Sequence, residues 1–166
     1  MINFITNTRN MIKTHTHVSF DLDGTLIDSI DLMQQSWKYA TSILGINIRF
    51  SEYRKYIGIP FKEIVKKLDL ESDYDDLYKL YFEYSEKNYN LVKLNAEILS
   101  VLEFLKTNHI GWSIITSKPR KVTLKILKHF NISPDYVICS DDVINGKPNN
   151  EPMVRLKELA KLDCNS

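Results

Sequence analysis

The stretch Phe20-Asp21-Leu22-Asp23-Gly24-Thr25-Leu26 follows a short apolar run, Val18-Ser19-Phe20, and its two carboxylates decide how the rest of the chain reads. Side chains alternate faces along an extended strand, so residues two apart point the same way. Asp21 and Asp23 therefore converge if the strand holds to its end. Paired carboxylates at a strand terminus suit a hard divalent cation such as magnesium. They equally suit a nucleophile with a proton donor beside it.

Two other readings of the stretch fare worse. Asp-Gly between apolar residues is a hairpin signal, but Thr25-Leu26-Ile27-Asp28-Ser29 leads into a helical pattern instead of a second alternating strand. An EF-hand loop also begins Asp-x-Asp and needs glycine at its sixth position and glutamate at its twelfth. Counted from Asp21, those positions hold Leu26 and Leu32.

Outward from this stretch the chain alternates. Val18 to Phe20 reads as a short buried strand. From Ile30 a helical stripe runs through Met33, Trp37, Ala40, Thr41 and Leu44, and Gly45 is a natural stop. Ser51 to Tyr56, Phe61 to Leu70 and Tyr74 to Tyr89 read as further helices, with Gly58 and Pro60 as punctuation. The block 30–92 is thus all helical and carries eight of the nine tyrosines. A helical block after one strand predicts an insertion. The tyrosines at 74, 78, 81, 84 and 89 are assigned to packing within it.

The alternation then resumes. Glu97 to Asn108 is a helix with Ile98, Val101, Leu102 and Leu105 on one face. Trp112 to Ile115 is a buried strand, Pro119 to Phe130 a helix and Tyr136 to Cys139 a strand. A last helix is capped by Asn150, has Pro152 in its first turn and turns Met153, Leu156, Leu159 and Ala160 inward. This order predicts an α/β fold with a parallel sheet and right-handed crossovers, in which ligands bind at the carboxyl ends of the strands.

That rule makes the other strand ends informative. Thr116-Ser117-Lys118-Pro119 follows one strand; a hydroxyl there, with a helix start behind it, forms an anion cradle of backbone N–H groups. Ser117 as a plain helix cap is the alternative. Ser140-Asp141-Asp142 and then Gly146-Lys147-Pro148 follow the next strand. A lysine fixed in a Gly/Pro loop can neutralise a phosphate as a point charge.

Composition bounds the rest. The chain has 166 residues, 43% hydrophobic and 26% charged, with net charge +1. That is globular, gives no charge-based reason for a nucleic-acid or membrane partner and contains no run of about 20 apolar residues. Met1 to His17 has no apolar core and is not a secretory signal; Met11 offers a second start. Cys139 and Cys164 lack metal spacing, and a reduced, cytoplasmic protein is the expectation.

Phe20 to Leu26 resembles the first motif of the haloacid dehalogenase-like hydrolase superfamily. Thr116 resembles its second motif and Lys147 in Gly-Lys-Pro its third. The helical block is similar to the small helical cap of the phosphoglycolate phosphatase-like branch. The resemblance covers about Val18 to Leu162 and implies a Rossmann-like core, 17–29 with 93–166, an inserted cap, 30–92, and an N-terminal extension, 1–16. It implies phosphoryl transfer from a small phosphorylated metabolite through an aspartyl-phosphate. Asp21 would be the nucleophile; Asp23 would protonate the leaving group and then activate water. Magnesium would be held by the Asp21 carboxylate and the Asp23 main-chain oxygen. Thr116, Ser117 and Lys147 would hold the phosphoryl oxygens, and Gly24 and Thr25 would support Asp23. The cap loop Ile57-Gly58-Ile59-Pro60 would face the site, with Arg54, Lys55 and Lys62 nearby.

The family's fourth motif, a strand ending in acids after the lysine loop and one helix, has no counterpart before Ser166. Asp141 and Asp142 end a strand but precede Lys147. The core is therefore expected to be incomplete at this end, with a sheet edge that invites pairing with a second copy. A phosphosugar mutase of the same architecture and a non-catalytic phosphate-binding remnant are the alternatives to a phosphatase.

Overall fold

The computed structural model describes residues 17–162. The N-terminal extension, the alternative start at Met11 and Cys164 lie outside the described residues.

Three short parallel strands form the core sheet in the order β1-β4-β5: β1 is His17–Phe20, β4 Gly111–Ile115 and β5 Tyr136–Ile138. The register sets Phe20 beside Ile114 and Ile115 beside Ile138. Only β4 has neighbours on both sides, and its Ser113 to Ile115 are buried. β1 was expected to be buried but is only half so, with Ser19 exposed. It stands at one edge of the sheet, and its far side has no strand partner among the described residues.

Immediately after β1 the chain turns sharply. The Leu22 carbonyl accepts from the amides of Thr25, Leu26 and Ile27 at 3.3, 3.0 and 3.1 Å. Gly24 sits at φ +80°, where a side chain would be strained. The turn delivers β2, Ile27–Asp28, which pairs antiparallel with β3, Lys93–Leu94, and not with β1. This two-stranded ribbon carries the chain out of the core and back.

Between its two strands lie four helices: α1 Ile30–Leu44, α2 Phe50–Arg54, α3 Phe61–Lys67 and α4 Tyr74–Lys87. α1 ends on Gly45 in the left-handed conformation, its N–H on the Thr41 carbonyl. α1 packs on α4, with Ser36 and Ser85 hydroxyls 2.8 Å apart in a buried contact. Trp37, Tyr53, Phe61, Tyr81 and Phe82 form an aromatic cluster. These rings join one continuous apolar core with Leu22, Ile114 and Ile126, so the helical block and the sheet share one interior.

The remaining helices flank the sheet: α5 Ala96–Thr107, α6 Arg120–His129 and α7 Glu151–Ala160. α7 departs from its expected pattern. Pro152 and Leu156 are buried, but Met153 and Leu159 are exposed among the described residues. Its cap also differs: Asn149, not Asn150, accepts the Glu151 amide, at 2.8 Å. No helix among the described residues is long and apolar enough to cross a membrane.

One buried base marks β1. Among the described residues the buried His17 Nε2 has no hydrogen-bond partner, and burial lowers the imidazole pKa from its ordinary 6.5, against the opposing charge of Asp135. The unfolded chain therefore binds this proton more readily, so stability declines as pH falls from about 6.5. Urea unfolding at pH 7.5 and pH 5.5 should show lower stability at the acid pH. His17→Leu should flatten that difference.

Candidate active site

The alternation that began in β1 outlasts the strand. Leu22 is wholly buried in the core, while Asp21 and Asp23 line one small pocket. Thr116 and Lys118, past the end of β4, and Lys147, in the loop after β5, line the same pocket. Strand ends far apart in sequence thus meet at one point, as the switch-point rule requires.

The charges there are paired. Lys147 Nζ donates to Asp21 Oδ1 at 2.6 Å and to the Ile115 carbonyl at 3.2 Å. Lys118 Nζ lies 3.1 Å from Asp23 Oδ1, and that pair is almost sealed from solvent, at 7% and 14% side-chain exposure. Ser29 Oγ donates to the same Asp23 oxygen at 2.5 Å. The Thr116 hydroxyl accepts from the Lys118 amide at 3.1 Å, which fixes the turn that carries both side chains.

Several expected roles fall to other residues. Asp23 is held by Ser29 and Lys118; Thr25 shapes the turn instead, its amide on the Leu22 carbonyl at 3.3 Å and its carbonyl accepting from Asn95 at 3.2 Å. Ser117 lines the pocket, but its hydroxyl donates to the Gly58 carbonyl at 2.7 Å, tying the cap loop to the core. The start of α6 is not an open anion cradle either. Its Arg120 amide is committed to the Asp141 carboxylate at 2.8 and 3.2 Å. Asp142 pairs with the Arg120 guanidinium and accepts the Cys139 amide at 2.7 Å. Both acids are thus spent on bracing this loop and cannot stand in at the pocket. Burial pushes the Cys139 thiol up to about 11, which removes it as a nucleophile.

The Lys147 loop is braced from behind. The Glu151 carboxylate accepts from the amides of Ile144 and Asn145 at 2.7 and 2.8 Å, and these bonds hold its pKa below the usual carboxylate value. The cap meets this loop closely. A Cβ on Gly146 would lie 2.4 Å from Pro60 Cγ. Gly146→Ala must therefore displace the cap loop, at a cost of about 1–3 kcal/mol. A lowered melting temperature together with weaker phosphate binding is the expected result.

The roof of the pocket comes from the cap: Ile57 to Ile59, Phe61 and Phe82, with the phenols of Tyr53 and Tyr81. These two tyrosines were assigned to packing alone or passed over. Arg54, Lys55 and Lys62 are absent from the lining. Lys55 pairs with Glu52 at 2.5 Å, and Lys62 borders a separate, wider cavity.

The donor set suits a hard cation. Asp21 retains a carboxylate oxygen without a hydrogen-bond partner among the described residues, and the Asp23 main chain lies beside it in the same turn. Magnesium commonly takes one or two protein carboxylates and keeps waters or phosphate oxygens for the rest. No cluster of three or more His, Cys, Asp or Glu that could hold a metal occurs among the described residues.

Comparison with known proteins agrees with this geometry. The chain is 31% identical over 150 residues to a putative pyrophosphatase PpaX of Caldanaerobacter subterraneus subsp. tengcongensis, covering 88% of this chain and 68% of that one. It is 26% identical over 153 residues to a phosphorylated carbohydrates phosphatase of Thermotoga maritima, covering 88% and 70%. Across the first four curated relatives the chain spans 64–70% of their length. Among solved structures, a predicted phosphatase from Clostridium acetobutylicum superposes with TM-score 0.78 at 25% identity, covering 90% of this chain and 72% of that one. The family model described as haloacid dehalogenase-like hydrolase matches residues 18–166, a span that contains both carboxylates and all three strand ends: the chain belongs to the haloacid dehalogenase-like hydrolase family.

Proposed function

We propose that the chain hydrolyses small phosphorylated metabolites through a phosphoryl group carried on Asp21. One observation carries this reading: Asp21, Asp23, Thr116 and Lys147, from separate strand ends, line one pocket, with Lys147 2.6 Å from Asp21. The names of the relatives support the same class of reaction.

Phosphoryl transfer needs mainly positioning and neutralisation of charge, and the residues divide that work. Lys147 and the Thr116 hydroxyl hold the phosphoryl oxygens, and Lys147 leaves Asp21 to do so. An Asp21 carboxylate oxygen attacks phosphorus, and the bond to the leaving oxygen breaks. Asp23, paired with Lys118 in the free chain and steadied by Ser29, takes up a proton from the entering substrate monoanion and gives it to that oxygen. It then takes a proton from water as the water attacks the same phosphorus. Phosphate departs with that proton, and Asp21 and Asp23 both return as carboxylates. Magnesium, when held by Asp21 and Asp23, offsets the repulsion between the carboxylate and the anionic substrate.

The test is turnover of an aryl phosphate by the wild-type chain with magnesium and with a chelator. Turnover that stops on chelation is the expected result. Absence of turnover in both conditions would overturn the reading.

A further inference from the structure

We propose that Tyr53 and Tyr81 form a leaving-group subsite that selects phosphate esters of small, uncharged, hydroxylated alcohols over substrates whose leaving group is an anion. This deepens the phosphatase reading of the same pocket and rests on it.

The argument begins with what the roof lacks. Among the described residues the cap brings no cation to the pocket lining. The two lysines of the floor are already matched, Lys147 to Asp21 and Lys118 to Asp23. A second phosphate or a carboxylate beneath this roof would lose its water and meet Ile57, Ile59, Phe61 and Phe82 without a counter-charge, which is costly.

What the roof offers is a pair of hydroxyls. Tyr53 and Tyr81 are 4% and 3% exposed. Tyr53 donates to Tyr81 at 3.1 Å, which leaves the Tyr81 proton for another acceptor, and none is found among the described residues. Burial raises the pKa of both phenols far above the ordinary 10, so both remain neutral donors. The charge of Asp23 adds to that rise. Both tyrosines line the same pocket as Asp23, the acid that serves the leaving oxygen. An alcohol hydroxyl beside that oxygen would satisfy the Tyr81 donor. A site built to hydrogen-bond a hydroxyl discriminates against ligands that lack it.

Size sets the second limit. The pocket is small, about 40 Å³. The wider cavity of about 760 Å³ is bordered by Lys62 and shares Phe61, Pro119 and Lys147 with this pocket. A bulky or anionic leaving group would have to reach it, and then the tyrosines would be irrelevant.

The Asp21→Asn chain separates binding from turnover. Titration calorimetry with magnesium would compare glycerol phosphate, phosphoglycolate, pyrophosphate and inorganic phosphate. Glycerol phosphate should bind about tenfold tighter than the two anionic-leaving-group ligands. Adding Tyr81→Phe should remove about tenfold of that affinity, the worth of one hydrogen bond, without altering inorganic phosphate. Tyr53→Phe, which keeps the Tyr81 donor, should lose less. Tighter or equal binding of pyrophosphate or phosphoglycolate overturns the subsite, as does an unchanged affinity in Tyr81→Phe. A loss in that variant shared equally by inorganic phosphate also overturns it. If wild-type aryl phosphate turnover persists, those results leave the phosphatase reading standing; if inorganic phosphate fails to bind and turnover is absent, both fall.

Discussion

Asp21→Asn should lower turnover of an aryl phosphate by about 10⁴-fold or more, the scale on which removal of a nucleophile acts. Asparagine keeps the shape of the side chain but lacks the electron-rich oxygen that attacks phosphorus. The same change should hardly touch stability. Lys147 loses its partner at 2.6 Å, but its side chain is 28% exposed and retains the Ile115 carbonyl. A half-solvated ammonium left this way costs at most about 1 kcal/mol. The contrast is the point of the experiment: a chain that melts near the wild-type temperature and has lost its activity has lost chemistry, not fold. Steady-state rates and a thermal melt on the same preparation check it. Activity within tenfold of wild type would remove Asp21 from the mechanism.

Lys118→Met should show the opposite balance, with a large loss of stability as well as rate. The Lys118–Asp23 pair is nearly closed to water. Breaking such a pair from one side strands a charge, at about 3–5 kcal/mol in fully buried cases. Asp23 keeps the Ser29 hydroxyl and a little solvent, so about 2–4 kcal/mol is expected. For a domain of this size that lowers the melting temperature by about 5–15 °C. The rate should also fall, by about 10²-fold, because Asp23 is no longer held toward the leaving oxygen. Removing the stranded charge should reverse only the first effect. Lys118→Met with Asp23→Asn should recover most of the stability and none of the activity. A double variant no more stable than Lys118→Met alone would show that the pair is not what the single change disturbs.

The parts of this molecule legible in the sequence were those governed by period and punctuation. The stripe from Ile30 to Leu44 with Gly45 behind it gave α1, because a helix buries every third or fourth residue and glycine accepts the left-handed cap. Strand-end logic brought Asp21, Asp23, Thr116 and Lys147 to one rim, and the pocket contains all four. What escaped depends on contacts that no local pattern encodes. Lys118 carries no signal of its own in the sequence, because lysine is seldom buried, although it adjoins Thr116. Ser29 replaced Thr25 at Asp23 because the tight turn on the Leu22 carbonyl brings the start of α1 back beside the carboxylate. Tyr53 and Tyr81 do pack the cap; that their hydroxyls bond to each other and that both residues line the pocket are facts of tertiary placement. Ser117 lines the pocket but caps no helix with its hydroxyl, because the cap loop offers it the Gly58 carbonyl.

The central claim is a covalent one and can be read directly. The wild-type chain would be mixed with an aryl phosphate and magnesium, quenched in acid during turnover, digested and analysed by mass spectrometry, with hydroxylamine used to cleave acyl phosphates. A hydroxylamine-labile phosphoryl group on the peptide that carries Asp21, absent in Asp21→Asn, is the predicted result. Turnover with no such adduct, or an adduct on any other residue, would contradict it.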